Sequence, residues 1–433
     1  MVNGQEQYIE HLMSYIGKAG NRIAFTPEET EAKRRLVSEM KELGLDIYTD
    51  EAGNIFGINY ANGTKPPKGV PLKVFGMGSH IDSVPNGGNF DGLVGIVSGM
   101  AAIKSIKEKG IRLSENIVVI AFESEESTVF GKSCLGSKFV GGKITVEDLH
   151  QTAIMSDSFN DGFMRYGEKF RNCNRILGLP LLDRPLVFSS FIEPHIEQGS
   201  VLADEGKKVG IVSAIAAPYR VKFKLTGMGG HDGTVPMFKR RDALEGFYEL
   251  YNIYRGLRHE MEIGDQLRTN IGVVDIENSS INKIPAKIST AISVRGLDLD
   301  LMNKFMEEII LRVEKKLPEM DIEVNIQRLE QGIPVKLKPE IVDEVRRSTI
   351  GYPTMEMWSG AGHDTAYMTH ICAEGAAVFF LPNSGISHEP TEYATIEDIS
   401  IGARVLEQIV QNRQLSRNQN RQGIRSGQDP YAR

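Results

Sequence analysis

Residues 72–122 read LKVFGMGSHIDSVPNGGNFDGLVGIVSGMAAIKSIKEKGIRLSENIVVIAF. Short apolar runs at 72–76 and 117–122 have strand character, and between them lies a helix-like pattern, LVGIVSGMAAIKSIKEKG. Strands separated by a helical segment predict a mostly parallel sheet with helices on its faces. Sheets of that kind bind ligands beyond the carboxyl ends of their strands. The chemistry falls at those ends. His80 and Asp82 follow the first strand, Asp91 sits on a Gly-rich turn before the helix, and Glu125-Glu126 follow the second strand.

Outward from this stretch, a helix is expected at 29–43, stopped by Gly44, and a strand at 54–59. From Ser213 the rhythm changes: strand 219–226, helix 237–257, strands 270–277 and 287–295, helix 299–316, strand 322–329. That order, β-α-β-β-α-β, is the ferredoxin-like pattern of a small independent domain. Alternation of α and β then resumes, with a strand at 376–381 and a helix at 396–411. The fold class is therefore α/β. A mostly parallel-sheet domain in two parts, 1–212 and 330–413, is interrupted by a ferredoxin-like α+β domain at 213–329. Residues 414–433 lack apolar periodicity and are expected to be a disordered, solvated tail.

A chain of 433 residues is too long for one ordinary core. Its 41% hydrophobic and 25% charged residues are those of a globular protein. A net charge of −7 gives no reason to expect a nucleic-acid partner. No apolar run approaches the roughly 18 residues that suggest a membrane span. The start, MVNGQEQYIEHLMSYI, has neither the charged nor the apolar region of a signal peptide. Cys134, Cys173 and Cys372 are scattered, odd in number and without metal-ligand spacing, which fits reduced thiols in a cytoplasm. Any metal site must then use histidine and carboxylates.

Two divalent ions about 3.5–4 Å apart can activate a water and clamp a developing oxyanion. Such a site needs a bridging carboxylate, terminal imidazoles or carboxylates on each ion, and a base. Asp91, where glycines let the backbone approach closely, is the bridging candidate, and His80 a terminal ligand. Asp82 is placed to hold the other nitrogen of His80. Glu125 and Glu126 are adjacent, so their side chains diverge: one can coordinate while the other faces the water. Glu193-Pro194-His195 and Ser387-His388 supply further donors. Each feature alone has an ordinary reading: a hydrogen-bonded pair, a solvated surface, a capped turn, a loop histidine. Their joint placement after strands of one layer favours the metal site.

The stretches GSHIDSVPNGGNFDGLVGIVSG, FESEES, FIEPHIEQGSVL, GHDGTVP, SGAGHDT and LPNSGISHEPTEY, in this order, resemble a specific family. It is that of the dinuclear zinc amidohydrolases, which includes N-carbamoyl-L-amino-acid hydrolases, β-ureidopropionase and allantoate amidohydrolase, within the aminoacylase/carboxypeptidase-like metallopeptidases. The resemblance runs over roughly residues 5–411, with the His195-Ile196-Glu197-Gln198-Gly199 stretch its most discriminating piece. It implies that His80, Glu126, His195 and His388 are terminal ligands, that Asp91 bridges, and that Glu125 is the general acid/base. It further implies that Gln198 lies near the ureido group, that His231 supports the oxyanion, and that Asn282 and Arg295 hold a substrate carboxylate. His363 and Asp364 would support the ligands from behind. The cofactor implied is a pair of divalent ions, zinc or else manganese or cobalt. The partner implied is a small ureido substrate with a carboxylate, and the assembly a homodimer through the small domain, whose residues can reach the neighbouring active site. Allantoate amidohydrolase is the alternative activity, and an aminoacylase or dipeptidase a further one. A catalytically silent binding protein would have lost Glu125 or a ligand, and none is lost.

There are departures. Ser127-Thr128-Val129-Phe130 stands where the family has Gly-Ser-Arg-Phe, Asp232 where alanine is usual, and Ala217-Pro218 replaces a glycine-containing stretch. These bear on the substrate, not on the ligand set.

Overall fold

A computed structural model describes residues 4–18, 21–153 and 165–425, with side chains up to residue 416. Among the described residues, fifteen strands succeed one another. They are β1 (Asp46–Thr49), β2 (Ile55–Asn59), β3 (Leu72–His80), β4 (Asn116–Phe122), β5 (Leu186–Ile196) and β6 (Val209–Ile215). Next come β7 (Ala217–Thr226), β8 (Gly230–His231), β9 (Leu267–Ile276), β10 (Lys283–Ile284), β11 (Lys287–Gly296) and β12 (Glu323–Gln331). The last are β13 (Val335–Lys336), β14 (Thr354–Ser359) and β15 (Gly375–Leu381). The chain separates into two compact units, one of 1–213, 337–358 and 363–433, the other of 214–336 and 359–362.

The larger unit is built on a mixed sheet in the order β1-β2-β4-β3-β5-β15-β6, with β14 also on β6. Its middle, β4, β3, β5 and β15, is parallel, as strands alternating with helices require. Antiparallel strands extend it on both sides. The helix Leu93–Glu108 is buried almost all round, which is why its sequence reads apolar without a polar face. The helix Pro27–Glu42 has conventional ends: Thr26 accepts from Glu29 N at 3.3 Å, Pro27 opens it, and Gly44 follows at φ +71°.

Strand β3 differs from the expectation of 72–76: it runs four residues further, through His80. Gly78, at φ +140°, lies so close to β4 that an added Cβ would fall 2.0 Å from the Ile120 oxygen. The glycines that read as a strand end are there to let two strands approach. The helix from Ile396 also outruns its expectation of 411 and reaches Arg425. The first part of the expected disordered tail, 414–425, is therefore helical, and 426–433 lies outside the described residues.

The smaller unit has β7, the helix Ala243–Glu260, β9, β11, the helix Leu299–Lys316 and β12 in chain order. Its sheet order is β12-β7-β11-β9, antiparallel throughout, which is the ferredoxin-like arrangement. Alternate residues of β7 and β11 are buried, and Val221, Phe223, Leu225, Ile292 and Val294 form one core with Leu250, Tyr254, Phe305 and Ile309 of the helices. The first helix starts at Ala243, not at 237, because Asp242 caps it by accepting from Leu244 N at 2.9 Å. Within the smaller unit, the first and last residues of its segment 214–336 pair at Ile215↔Val335 and Ala214↔Lys336, on β6 and β13. No helix among the described residues is long and apolar enough to cross a membrane.

Candidate metal centre

The parallel strands end on one side of the sheet, and the candidate ligands gather there. His80 is the last residue of β3 and His195 the last but one of β5. Glu125 and Glu126 lie in the turn after β4, entered through Ser124 at φ +52°, and His388 lies in the loop after β15. Asp91 comes from the loop before the helix Leu93–Glu108. Gly92, at φ +65°, lets that loop pass His80: a Cβ there would lie 2.5 Å from both His80 Cε1 and the His80 carbonyl oxygen.

Asp91 is the centre of the group. Its Oδ1 lies 3.1 Å from His195 Nε2 and 3.9 Å from His80 Nε2, and the two imidazole Nε2 atoms are 3.5 Å apart. Its Oδ2 lies 3.1 Å from His388 Nε2, which is 3.2 Å from Glu126 Oε1. One carboxylate thus faces two donor sets, His80 with His195 and Glu126 with His388, each close enough to share an ion. Asp91 Oδ1 is buried and accepts no hydrogen bond. A buried carboxylate oxygen left without a donor, with two imidazole nitrogens beside it, fits a divalent cation.

The electrostatics agree. Burial opposes ionisation of Asp91, but His195 and His388 hold its carboxyl well below the usual range. Contact with Asp91 and then Glu126 pushes His388 up to about 10. Burial works to lower His80 and His195, yet carboxylates around them raise both. These rings gather positive charge where a cation would replace their protons.

Glu125 is different. Burial first, then Glu126, pushes its carboxyl up to about 7, against the pull of His80. The Cys134 thiol donates to its Oε1 at 2.9 Å, which leaves Oε2 to exchange a proton. A carboxyl near neutrality beside a cation site is suited to taking and returning a proton.

Asp82 does not do what its spacing predicted. His80 Nδ1 pairs with the Asp82 backbone oxygen at 2.9 Å, while the carboxylate stands off at 3.6 Å. That carboxylate instead accepts from Glu125 N at 3.0 Å and Glu126 N at 2.9 Å, fixing the acidic turn. His195 Nδ1 likewise pairs with a backbone oxygen, that of Ile196, at 2.8 Å. Gln198 donates to Asp91 Oδ2 at 2.9 Å. His363 packs edge-on against His195 with ring centres 4.7 Å apart, and Asp364 is fully buried, with burial and then Glu193 raising its carboxyl.

Glu193, read in the sequence with His195 as part of a donor stretch, has another role in the structure. It lies near His195 and His363, but its oxygens already accept from Ser79 Oγ, Thr365 N and Thr365 Oγ1 at 2.7–2.9 Å. It braces β3 and β5 and has little left for an ion. The signal was its place two residues before His195 on a buried strand.

The three remaining candidates lie in the smaller unit. His231 on β8 pairs with Lys283 on β10, which brings it beside Asn282, whose carbonyl accepts from Asp232 N at 3.2 Å. His231 Nδ1 accepts from Gly233 N at 3.0 Å, so a neutral ring carries its proton on Nε2. Asp232 Oδ1 is 3.3 Å from the same Nδ1. Arg295 is at the far end of β11, where it donates to the Gly360 oxygen at 3.1 Å. From Lys287 to Arg295 is about 26 Å of extended strand. The structure therefore brings His231 and Asn282 together and sets Arg295 apart from them.

Residues 76–412 match the family described as Peptidase family M20/M25/M40. The chain is 32% identical over 390 residues to an N-carbamoyl-L-amino acid amidohydrolase of Geobacillus stearothermophilus, covering 89% of this chain and 91% of that one. It is 30% identical over 419 residues to an allantoate amidohydrolase of Escherichia coli, covering 94% and 97%. A crystal structure of a hydantoinase/carbamoylase family amidase from Burkholderia multivorans superposes with a TM-score of 0.77 at 27% identity, covering 94% of this chain and 97% of that one. With a family match over most of its length and relatives covered almost end to end, the chain belongs to peptidase family M20/M25/M40.

Proposed function

We propose that this protein is a metal-dependent amidohydrolase that cleaves the ureido C–N bond of an N-carbamoyl-L-amino acid. One water is consumed, and ammonia, carbon dioxide and the amino acid leave. The observation that carries the reading is Asp91, with one oxygen toward His80 and His195 and the other toward His388 and Glu126. The relatives' activities choose the ureido bond over a peptide bond.

His80, His195 and Asp91 Oδ1 would hold one ion, and Asp91 Oδ2, Glu126 and His388 a second, with zinc the first choice and manganese or cobalt compatible with the same donors. Bound ions supply Lewis acidity toward the carbonyl oxygen and a more acidic water. Glu125 takes a proton from the attacking water on Oε2 and returns it to the departing nitrogen. His231, with its proton on Nε2, offers a donor to the oxyanion, a role typically contributing about 3 kcal/mol. Gln198 faces the ureido group. Arg295, with a planar fork suited to it, and Asn282 of the partner subunit grip the substrate carboxylate. His363 and Asp364 back the ligands.

The smaller unit acts in this reading as a lid and as the surface of a homodimer. Strand β9 is a sheet edge whose Val273 and Val274 are exposed, and Leu244, Tyr248 and Tyr251 form an exposed stripe on the helix Ala243–Glu260. The buried free thiols of Cys134, Cys173 and Cys372 suit a reducing cytoplasm.

Zinc- or manganese-loaded protein is offered N-carbamoyl-L-amino acids, allantoate and N-acetyl-L-amino acids while ammonia is followed. Ammonia from a carbamoyl amino acid is the expected result. Ammonia from allantoate alone selects the second reading, which rests on the Escherichia coli relative. Acetate without ammonia sinks both. Glu125→Gln should lower kcat at least about a thousandfold with the metal content unchanged.

A further inference from the structure

Two kinds of support hold the candidate ligands. His80 and His195 stand on β3 and β5, each three residues past the last β3–β5 pair, Met77↔Ile192, and each still paired on its other side, with Phe122 and Phe380, so the sheet sets their separation. Asp91 and His388 come from loops about 300 residues apart in sequence, and no strand pairing joins those loops. Something else must keep them in register.

Glu392 spans both. Its Oε1 accepts from Phe90 N at 2.9 Å and Asp91 N at 3.0 Å. Its Oε2 accepts from Ser387 Oγ at 2.7 Å and His388 N at 3.4 Å. The side chain is buried, and Gly88 makes room for it: a Cβ there would lie 2.3 Å from Glu392 Cβ and Oε1. Phe90 and Tyr393 meet edge to face beside it, with ring centres 5.4 Å apart. The Asp91 loop is held from another direction by Arg22, fully buried, which donates to Asn89 Oδ1 at 3.0 Å and the Ile81 oxygen at 2.8 Å. A buried carboxylate that accepts from backbone N–H groups on two loops is a strong, directional tie.

We propose that Glu392 is the positioning residue that assembles one half of the metal centre, Asp91 Oδ2 with Glu126 and His388, while the His80–His195 half is set by the strands. The inference rests on the two-ion reading above. Loss of Glu392 then weakens the second ion, which takes two ligands from the tied loops, far more than the first, which takes only Asp91 from them. Outer partners of metal ligands typically change affinity about 10–100-fold.

The test is a Zn²⁺ titration of the metal-free, full-length protein against a chromophoric chelator, on wild type, Glu392→Ala, Glu392→Gln and Ser387→Ala, with melting curves alongside. Wild type should take two ions. Glu392→Ala should hold the first ion within about threefold of wild type and bind the second about 10–100-fold more weakly. Glu392→Gln keeps an acceptor for Phe90 and Asp91 but turns an NH2 toward His388 N–H, so it should lose part of the second affinity. Ser387→Ala should lose less. A second ion bound by Glu392→Ala as tightly as by wild type overturns the proposal, as does equal weakening of both ions in a variant that melts normally. If Glu392→Ala does not fold, Glu392→Gln with wild-type affinity for the second ion overturns it alone. Wild type that takes fewer than two ions overturns instead the two-ion reading beneath it.

Discussion

At the level of single residues, the candidate site depends as much on small groups as on its candidate ligands. Gly92 occupies a left-handed conformation and lies against the ring and backbone of His80. Alanine there meets both a backbone penalty and a clash, each of order 1–3 kcal/mol. Gly92→Ala should therefore lower the stability of the metal-free protein by more than about 2 kcal/mol and weaken ions at His80. Chemical denaturation and zinc content check this, and a wild-type midpoint with full zinc would refute it. His80, Asp91, Glu125, Glu126, His195 and His388 were all legible as residues, because each stands at a strand end or a Gly-rich turn. The use made of Asp82 was not. Spacing pairs it with His80, but its carboxylate goes to the amides of Glu125 and Glu126, 43 and 44 residues away. The bracing role of Glu193, which the sequence offered as a donor, and Glu392 altogether were missed for the same reason: their partners lie up to 302 residues distant. Local sequence carries the candidate ligands and hides what braces them.

Among the elements, turns carry buried charge that makes a pH signature. Asp50 joins β1 to β2 and is 5% exposed, accepting from Ala52 N at 3.0 Å, Asn54 N at 3.1 Å and Asn54 Nδ2 at 2.7 Å. Burial pushes its carboxyl up to about 7 against those hydrogen bonds. Because the folded value is the higher one, the native state holds a proton that the unfolded chain releases. That contribution is fully present below about pH 4, the unfolded value, and is lost as pH rises through about 7. Wild type should lose stability from this source between pH 4 and 7, and Asp50→Asn, which cannot ionise, should lose less. Parallel denaturation profiles of the two across that range would dismiss Asp50 as the source. The elements themselves were readable where period and caps agreed, as in the helix 27–42 and the alternating strands β7 and β11. They were misread where a distant neighbour decides. The end of β3 depends on Ile120 across the sheet, and the extension of the helix Ile396–Arg425 runs through a sequence without an apolar stripe.

For the whole molecule, the decisive distance is within the smaller unit. His231 and Asn282 lie beside β8 and β10, near the start of β11, and Arg295 lies at its other end, about 26 Å of strand away. A substrate the size of a carbamoyl amino acid cannot touch both ends at once. If both ends act in catalysis, they serve different metal centres, and a symmetric dimer meets that demand because each copy offers both ends. The consequence is complementation. His231→Ala and Arg295→Ala should each be nearly inactive as pure proteins. When the two are unfolded together and refolded as a mixture, half the dimers carry one of each chain. In such a dimer one centre receives both defects and the other receives neither. Activity should then return to about a quarter of wild type, with the Michaelis constant of wild type. Mixing without subunit exchange should restore nothing, which separates assembly from simple addition. Absence of recovery after refolding, with dimers present by sedimentation, would mean that His231 and Arg295 act on the same centre, and the division of the sheet between two sites would be wrong.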